Sequence, residues 1–198
     1  MPTAPLDPET LLSAYAQGAF PMTDPDGVTR WYTADPRGVM PLDDRFRVHR
    51  SLRQTIRRGH FQTHINADFT ATMRACMDQR RGGTWISEDL INAYTRLHAE
   101  GFAHSVETRD AESGELVGGL YGVTLGGAFF GESMFHDRTD ASKVALVALV
   151  ERLRERGFVL LDAQAKTTHL ARFGCEDVPA SRYLRRLREA ITLERQFD

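Results

Sequence analysis

Residues 118–135, GGLYGVTLGGAFFGESMF, are the stretch on which the fold turns. Two apolar runs flank Gly126-Gly127, which predicts two antiparallel strands joined by a tight turn and puts Glu132 where the second strand ends. One helical stretch later comes LLDAQ, Leu160–Gln164, a short apolar run that predicts a buried strand. Side chains alternate along a strand, so Asp162 and Gln164 are expected on one face. Glu132, Asp162 and Gln164 thus stand among apolar strand residues, where a polar group without partners costs several kcal/mol. They are the first candidates for a functional site.

Working outward, residues 104–109, 116–125 and 128–134 form a predicted antiparallel meander with turns at 110–114 and 126–127. An amphipathic helix is predicted over 141–156, where Leu146, Leu149, Val150 and Leu153 recur at helical spacing, and a last helix over 181–193. Towards the amino terminus, Asp7-Pro8 reads as N-cap and first helical residue, with Gly18 as the stop. Residues 21–44 are rich in Pro, Asp and Gly and predict a connecting loop bearing Trp31. A basic helix over 50–58, a strand over 61–65 and helices over 68–78 and 87–100 follow, the last capped by Ser87 and ended by Gly101. The sum is an α+β chain. A small amino-terminal lobe (residues 1–60) and a larger domain (residues 61–198) are expected.

The 198 residues are 41% hydrophobic and 26% charged, an ordinary globular balance. A net charge of −2 does not advertise nucleic-acid binding, so any such contact needs a local basic patch. Arg50, Arg53 and Arg57 share one helix face, with Arg47 and Arg58 close by, and Arg80 and Arg81 form a second cluster. Such faces bind phosphate by counterion release, although a charge run is more often simply solvated. Two separated cysteines, Cys76 and Cys175, fit a reducing compartment. No apolar run is long enough to span a bilayer and the start is unlike a signal peptide, so a cytoplasmic, non-membrane protein is expected. The seven histidines show no metal-ligand spacing, and no metal is expected. His104 and His169 are expected to make structural hydrogen bonds.

Ordered motifs extend along most of the chain. AYAQGAFP at residues 14–21 is followed by Trp31, Asp35-Pro36-Arg37, Gly83-Thr84-Trp85-Ile86, Ala93-Tyr94 with Leu97-His98, and AHSVE at 103–107. GGLYGV, GESMF, Ala141-Ser142-Lys143, the D-x-Q of Asp162 and Gln164, and His169 complete the order. In this the chain resembles the leucyl/phenylalanyl-tRNA–protein transferases, which move an amino acid from tRNA to a protein's amino terminus. Fuller members carry a segment containing G-L-L-A-x-G-G-D-L-S, and this chain begins after that point. Met22 stands where the family usually has Trp, Tyr32 replaces the second Trp of a pair, and Thr167 replaces an Asn.

The resemblance implies an acetyltransferase-like (GNAT-type) core and an aminoacyltransferase. Its partners would be aminoacyl-tRNA carrying Leu or Phe, with Met as a further donor, and acceptor proteins beginning with Arg or Lys. Marking for N-end-rule degradation is the context, a monomer is expected, and no cofactor is implied. The chemistry is attack of an α-amine on an activated ester, which needs orientation, proton removal and oxyanion stabilisation. A Gln amide is no ordinary base, but Gln164 can accept a hydrogen bond from the amine, with Asp162 polarising that amide or attracting the acceptor's cationic residue. Glu132 would face the donor, holding its ammonium or the terminal nucleotide. Leu120, Phe129, Gly131, Leu149 and Leu161 match the family's donor pocket, although apolar strand and helix residues are core by default. Trp85, Met22 and Trp31 are the adenosine-binding candidates, and Arg50, Arg53, Arg57 and Arg58 those for the tRNA backbone.

Rival readings are weaker. A CoA-dependent acyltransferase needs a Gly-rich pyrophosphate loop, and HDRTDASK at 136–143 has no glycine. A serine hydrolase needs G-x-S-x-G, which fails at Phe135. An RNA-binding module would rest on the arginine face alone. Altered donor or acceptor specificity is the remaining alternative.

Overall fold

The computed structural model describes residues 6–78 and 84–198. The chain starts with helix α1 (Pro8–Ala16) and three short strands, β1 (Phe20–Thr23), β2 (Thr29–Tyr32) and β3 (Arg37–Met40). Helix α2 (Arg50–Arg57), strand β4 (Phe61–Ile65) and helices α3 (Phe69–Met77) and α4 (Glu88–Ala99) follow. The second half comprises β5 (Ala103–Asp110), β6 (Leu116–Leu125), β7 (Ala128–His136), α5 (Ala141–Glu155), β8 (Leu160–Gln164), α6 (Thr168–Ala171), β9 (Glu176–Val178) and α7 (Ala180–Ile191).

Helix starts follow the sequence signals. Asp7, Asp68 and Ser87 accept hydrogen bonds from the amides of Thr10, Ala71 and Leu90, satisfying donors that a first turn leaves open. Seven strands form one sheet in the order β4-β5-β6-β7-β8-β3-β9. The β5-β6-β7 meander is antiparallel, and α5 carries the chain back so that β8 lies parallel to β7. This is the expected α+β core.

Two buried clusters cover the sheet. Tyr121, Phe130 and Leu160 pack with residues of α1, α3, α4 and α7, whereas their neighbours Leu120, Phe129 and Leu161 pack with α5. Adjacent residues thus go to opposite clusters, as period-two alternation requires.

Two expectations need correction. Residues 21–44 are not merely a loop: β1 and β2 form a small hairpin, and β3 enters the large sheet between β8 and β9. Four-residue strands broken by Pro and Gly are too short to display alternation, and β3 is buried at every position, which erases it. Glu132 also lies within β7 rather than at its end, because that strand continues to His136.

Candidate active site

Tyr121 of β6 pairs with Ser133, and Gly122 pairs with Gly131, so Glu132 is the extra residue of a β-bulge. A bulge re-aims a side chain, and here it turns Glu132 towards α1 and α4. Gly122 permits the close approach: a Cβ there would collide with the Phe130 carbonyl oxygen and the Phe129 ring. The ladder between β7 and β8 extends only to Phe130 and Asp162, although both strands continue. A cavity of about 510 Å³ opens there, between Gly131–Met134 on one strand and Leu161–Ala165 on the other. Its volume suits a small organic group.

Glu132 is 8% exposed. Its Oε1 accepts from the Tyr15 hydroxyl at 2.7 Å and from Gln164 Nε2 at 3.0 Å, while Tyr94 donates to Oε2 at 3.5 Å. The Tyr15 and Tyr94 hydroxyls also touch each other. No cation bonds Glu132 among the described residues. Burial pushes its carboxyl up to about 7, partly opposed by the Tyr15 hydrogen bond, while nearby Asp162 adds to the rise.

Asp162 is fully buried, and its environment is the reverse. Arg37, itself 1% exposed, donates through Nε to both carboxylate oxygens at 2.9 and 3.0 Å and through Nη2 at 2.6 Å. The Tyr183 hydroxyl donates at 2.6 Å, and the Gln164 backbone amide donates to Oδ1 at 2.8 Å. Arg37 is fixed in turn by the Gly18 carbonyl at 2.9 Å and by the rings of Phe20 and Tyr183.

These contacts revise the expected division of labour. Asp162 does not touch the Gln164 side chain; it holds the Gln164 backbone in the left-handed region, at φ 59°. That turn directs the side-chain amide to Glu132, so Glu132 rather than Asp162 polarises it. With its nitrogen committed to a carboxylate, the amide turns its oxygen away from Glu132. Arg37 also already neutralises Asp162, which leaves no charge there to attract an acceptor's cationic residue.

Of the remaining candidates, Leu120, Gly131, Leu149, Leu161, Met22 and Trp85 all line the cavity with Glu132, Asp162 and Gln164. The Thr23 amide donates to the Trp85 carbonyl at 3.0 Å, tying the β1-β2 hairpin to that wall. Phe129 is not brought to the cavity: it is fully buried and packs on Phe197, ring centroids 5.4 Å apart. Trp31 lines a separate surface hollow beside Glu9, Ser13 and Gln17. Arg50, Arg53 and Arg57 meet at one small hollow on α2, and Arg58 is the exposed C-cap. Arg80, Arg81 and Gly83 lie outside the described residues. At the start of α5, Asp140 pairs with Lys143 at 2.6 Å, which places a carboxylate where a CoA pyrophosphate would need donors.

Residues outside the candidate set complete the site: Phe20, Met40, Leu146, Thr167 and His169 in the walls, and Arg37, Tyr15, Tyr94 and Tyr183 behind the carboxylates. Five of these stood inside the ordered motifs: Tyr15 and Phe20 in AYAQGAFP, Arg37 in Asp35-Pro36-Arg37, Tyr94 after Ala93, and His169 at the end of the order. His104 makes the expected structural bonds, to Asn66 at 3.0 Å and the Gly101 carbonyl at 3.1 Å. His169 does not, since its Nε2 has no partner among the described residues.

A family model described as leucyl/phenylalanyl-tRNA protein transferase matches residues 39–188, and the model of that family's N-terminal domain matches residues 4–35. The chain belongs to this family. As a leucyl/phenylalanyl-tRNA protein transferase family member it is a transferase enzyme. It is 53% identical over 192 residues to the leucyl/phenylalanyl-tRNA–protein transferase of Rubrobacter xylanophilus, covering 97% of this chain and 98% of that one. The enzyme of the same name from Herpetosiphon aurantiacus is 52% identical over 195 residues, covering 98% and 100%. Among solved structures, FemX matches with a TM-score of 0.54 at 12% identity, covering 91% of this chain and 70% of FemX. L-PGS from Bacillus licheniformis matches at 0.50 and 14% identity, covering 83% and 54%. These two likenesses show the fold alone. No helix among the described residues is long and apolar enough to cross a membrane.

Proposed function

We propose that this transferase moves leucine or phenylalanine, with methionine as a third donor, from aminoacyl-tRNA to proteins that begin with Arg or Lys. The products are marked for N-end-rule degradation, and the enzyme works as a monomer in the cytoplasm. One observation carries the reading: a single cavity joins an apolar lining to the Glu132–Gln164 pair.

The donor's side chain lies among Leu120, Leu149 and Leu161, gaining roughly 25 cal/mol per Å² buried, while charged side chains are refused by desolvation. Its ammonium faces Glu132. The terminal adenine stacks on Trp85, worth roughly 1–3 kcal/mol, with Met22 packed beside it. The arginines of α2 hold the tRNA backbone. The acceptor's α-amine, which titrates near pH ~8, presents its lone pair to the ester carbonyl while an N–H is held by the Gln164 amide oxygen. A C–N bond forms, the ester C–O bond breaks, and the amine's proton ends on the departing ribose hydroxyl. Asp162 is the positioning residue that fixes Gln164, and the Arg37 guanidinium holds its carboxylate in place.

The test is transfer of labelled leucine and phenylalanine from charged tRNA to reporters beginning with Arg, Lys, Asp or Glu. Modification of the Arg and Lys reporters alone is expected. Absence of transfer, or preference for the acidic termini, would overturn the reading.

A further inference from the structure

Among the described residues two buried side-chain polar atoms lack a hydrogen-bond partner, Tyr121 Oη and His169 Nε2, and both residues line the same cavity. Buried polar groups are almost always bonded, so orphans that share a cavity point to a ligand. Tyr121 is the stronger case, being fully buried. Its ring is clamped edge-on by Phe69 (centroids 6.0 Å, 81°) and Tyr94 (5.9 Å, 85°), so the hydroxyl cannot swing to another partner. Tyr94, whose ring meets that of Tyr121, in turn bonds Glu132, and Tyr121 and Glu132 line one cavity in which Glu132 has no bonded cation among the described residues.

We propose that Tyr121 Oη accepts a hydrogen bond from the donor's α-ammonium, so that Tyr121 and Glu132 together select acyl groups bearing a free amine. An ammonium offers three donors, and it supplies the charge that Glu132 lacks. Tyr15 and Tyr94 already spend their hydroxyls on Glu132 and on each other, whereas Tyr121 makes no such bond. The proposal rests on the reading of this cavity as the donor site.

The test uses an amide-linked leucyl-adenosine, which cannot transfer its acyl group, and its desamino counterpart. Binding of each is measured by calorimetry to the wild type and to Tyr121→Phe, alongside thermal unfolding of both proteins. Removing the hydroxyl should weaken the amine-bearing ligand roughly tenfold or more and leave the desamino ligand within about twofold. The melting temperature should hold or rise, because no hydrogen bond is lost. Equal weakening of both ligands, no weakening of either, or a clear fall in melting temperature would overturn the proposal while leaving the donor site standing. Failure of the wild type to bind either ligand would overturn the donor-site reading, and the proposal with it.

Discussion

Glu132 on β7 and Asp162 on β8 border one cavity, yet the protein treats them in opposite ways. Asp162 is enclosed by Arg37, Tyr183 and the Gln164 amide, so its charge is spent inside the fold. Glu132 has hydroxyls and an amide around it but no bonded cation among the described residues, and burial pushes it up to about 7. Two carboxylates that look alike in sequence therefore differ in what they await. Asp162 is complete without substrate. Glu132 is completed by one.

The sharpest way to break this contrast is Asp162→Ala. It strands a buried guanidinium, and losing one partner of such a pair costs about 3–5 kcal/mol. Chemical denaturation should show a loss of that size together with lost transfer, so activity alone would misreport the residue's role. A double variant, Arg37→Met with Asp162→Leu, should recover most stability but not transfer. Stability unchanged in Asp162→Ala would end the structural half of the comparison.

Gln164→Ala addresses the link between the two carboxylates. It should lower kcat by about 10²-fold or more with little change in melting temperature, since the side chain is only partly buried. Near-normal turnover would remove Gln164 from the reaction.

Glu132→Gln should do what no Asp162 variant does, and stabilise the protein. A carboxyl whose folded pKa lies near 7, above its unfolded value of 4.5, favours the fold most below about pH 4.5 and loses that contribution as pH rises towards 7. The variant should therefore gain on the order of 3 kcal/mol over the wild type at pH 8 and little at pH 5. Equal gains at both pH values would contradict the assigned cause.

The smallest effect lies outside the cavity. Replacing Arg50, Arg53 and Arg57 together should weaken tRNA binding and reduce its salt slope by roughly 2–3, without changing discrimination among donors. An unchanged slope would return α2 to an ordinary solvated face.

Much of this was legible in residues. The Gly126-Gly127 turn, the meander, the capped helices and the LLDAQ strand follow from alternation, helical spacing and capping chemistry, all local properties. Strand β3 was not legible, because a four-residue strand buried throughout shows no period. The bulge at Glu132 was hidden too: it is a property of the pairing between β6 and β7, and one strand's sequence does not state its register. Arg37, Tyr15, Tyr94 and Tyr183 lie far along the chain from the carboxylates they bond, so only the folded arrangement assigns them partners. Phe129 shows the converse error, a residue of the expected pocket that packs away from the cavity on Phe197.

If the charge at Glu132 is held in reserve for an incoming ammonium, the enzyme should tell leucyl-tRNA from the same tRNA carrying the matching α-hydroxy acid. The decisive measurement is the ratio of kcat/KM for these two donors in the wild type and in Glu132→Gln. A wild-type preference for the amine of about 10²-fold that collapses to a few-fold in the variant is the expected result. A ratio left unchanged by the substitution would show that the ammonium is met elsewhere.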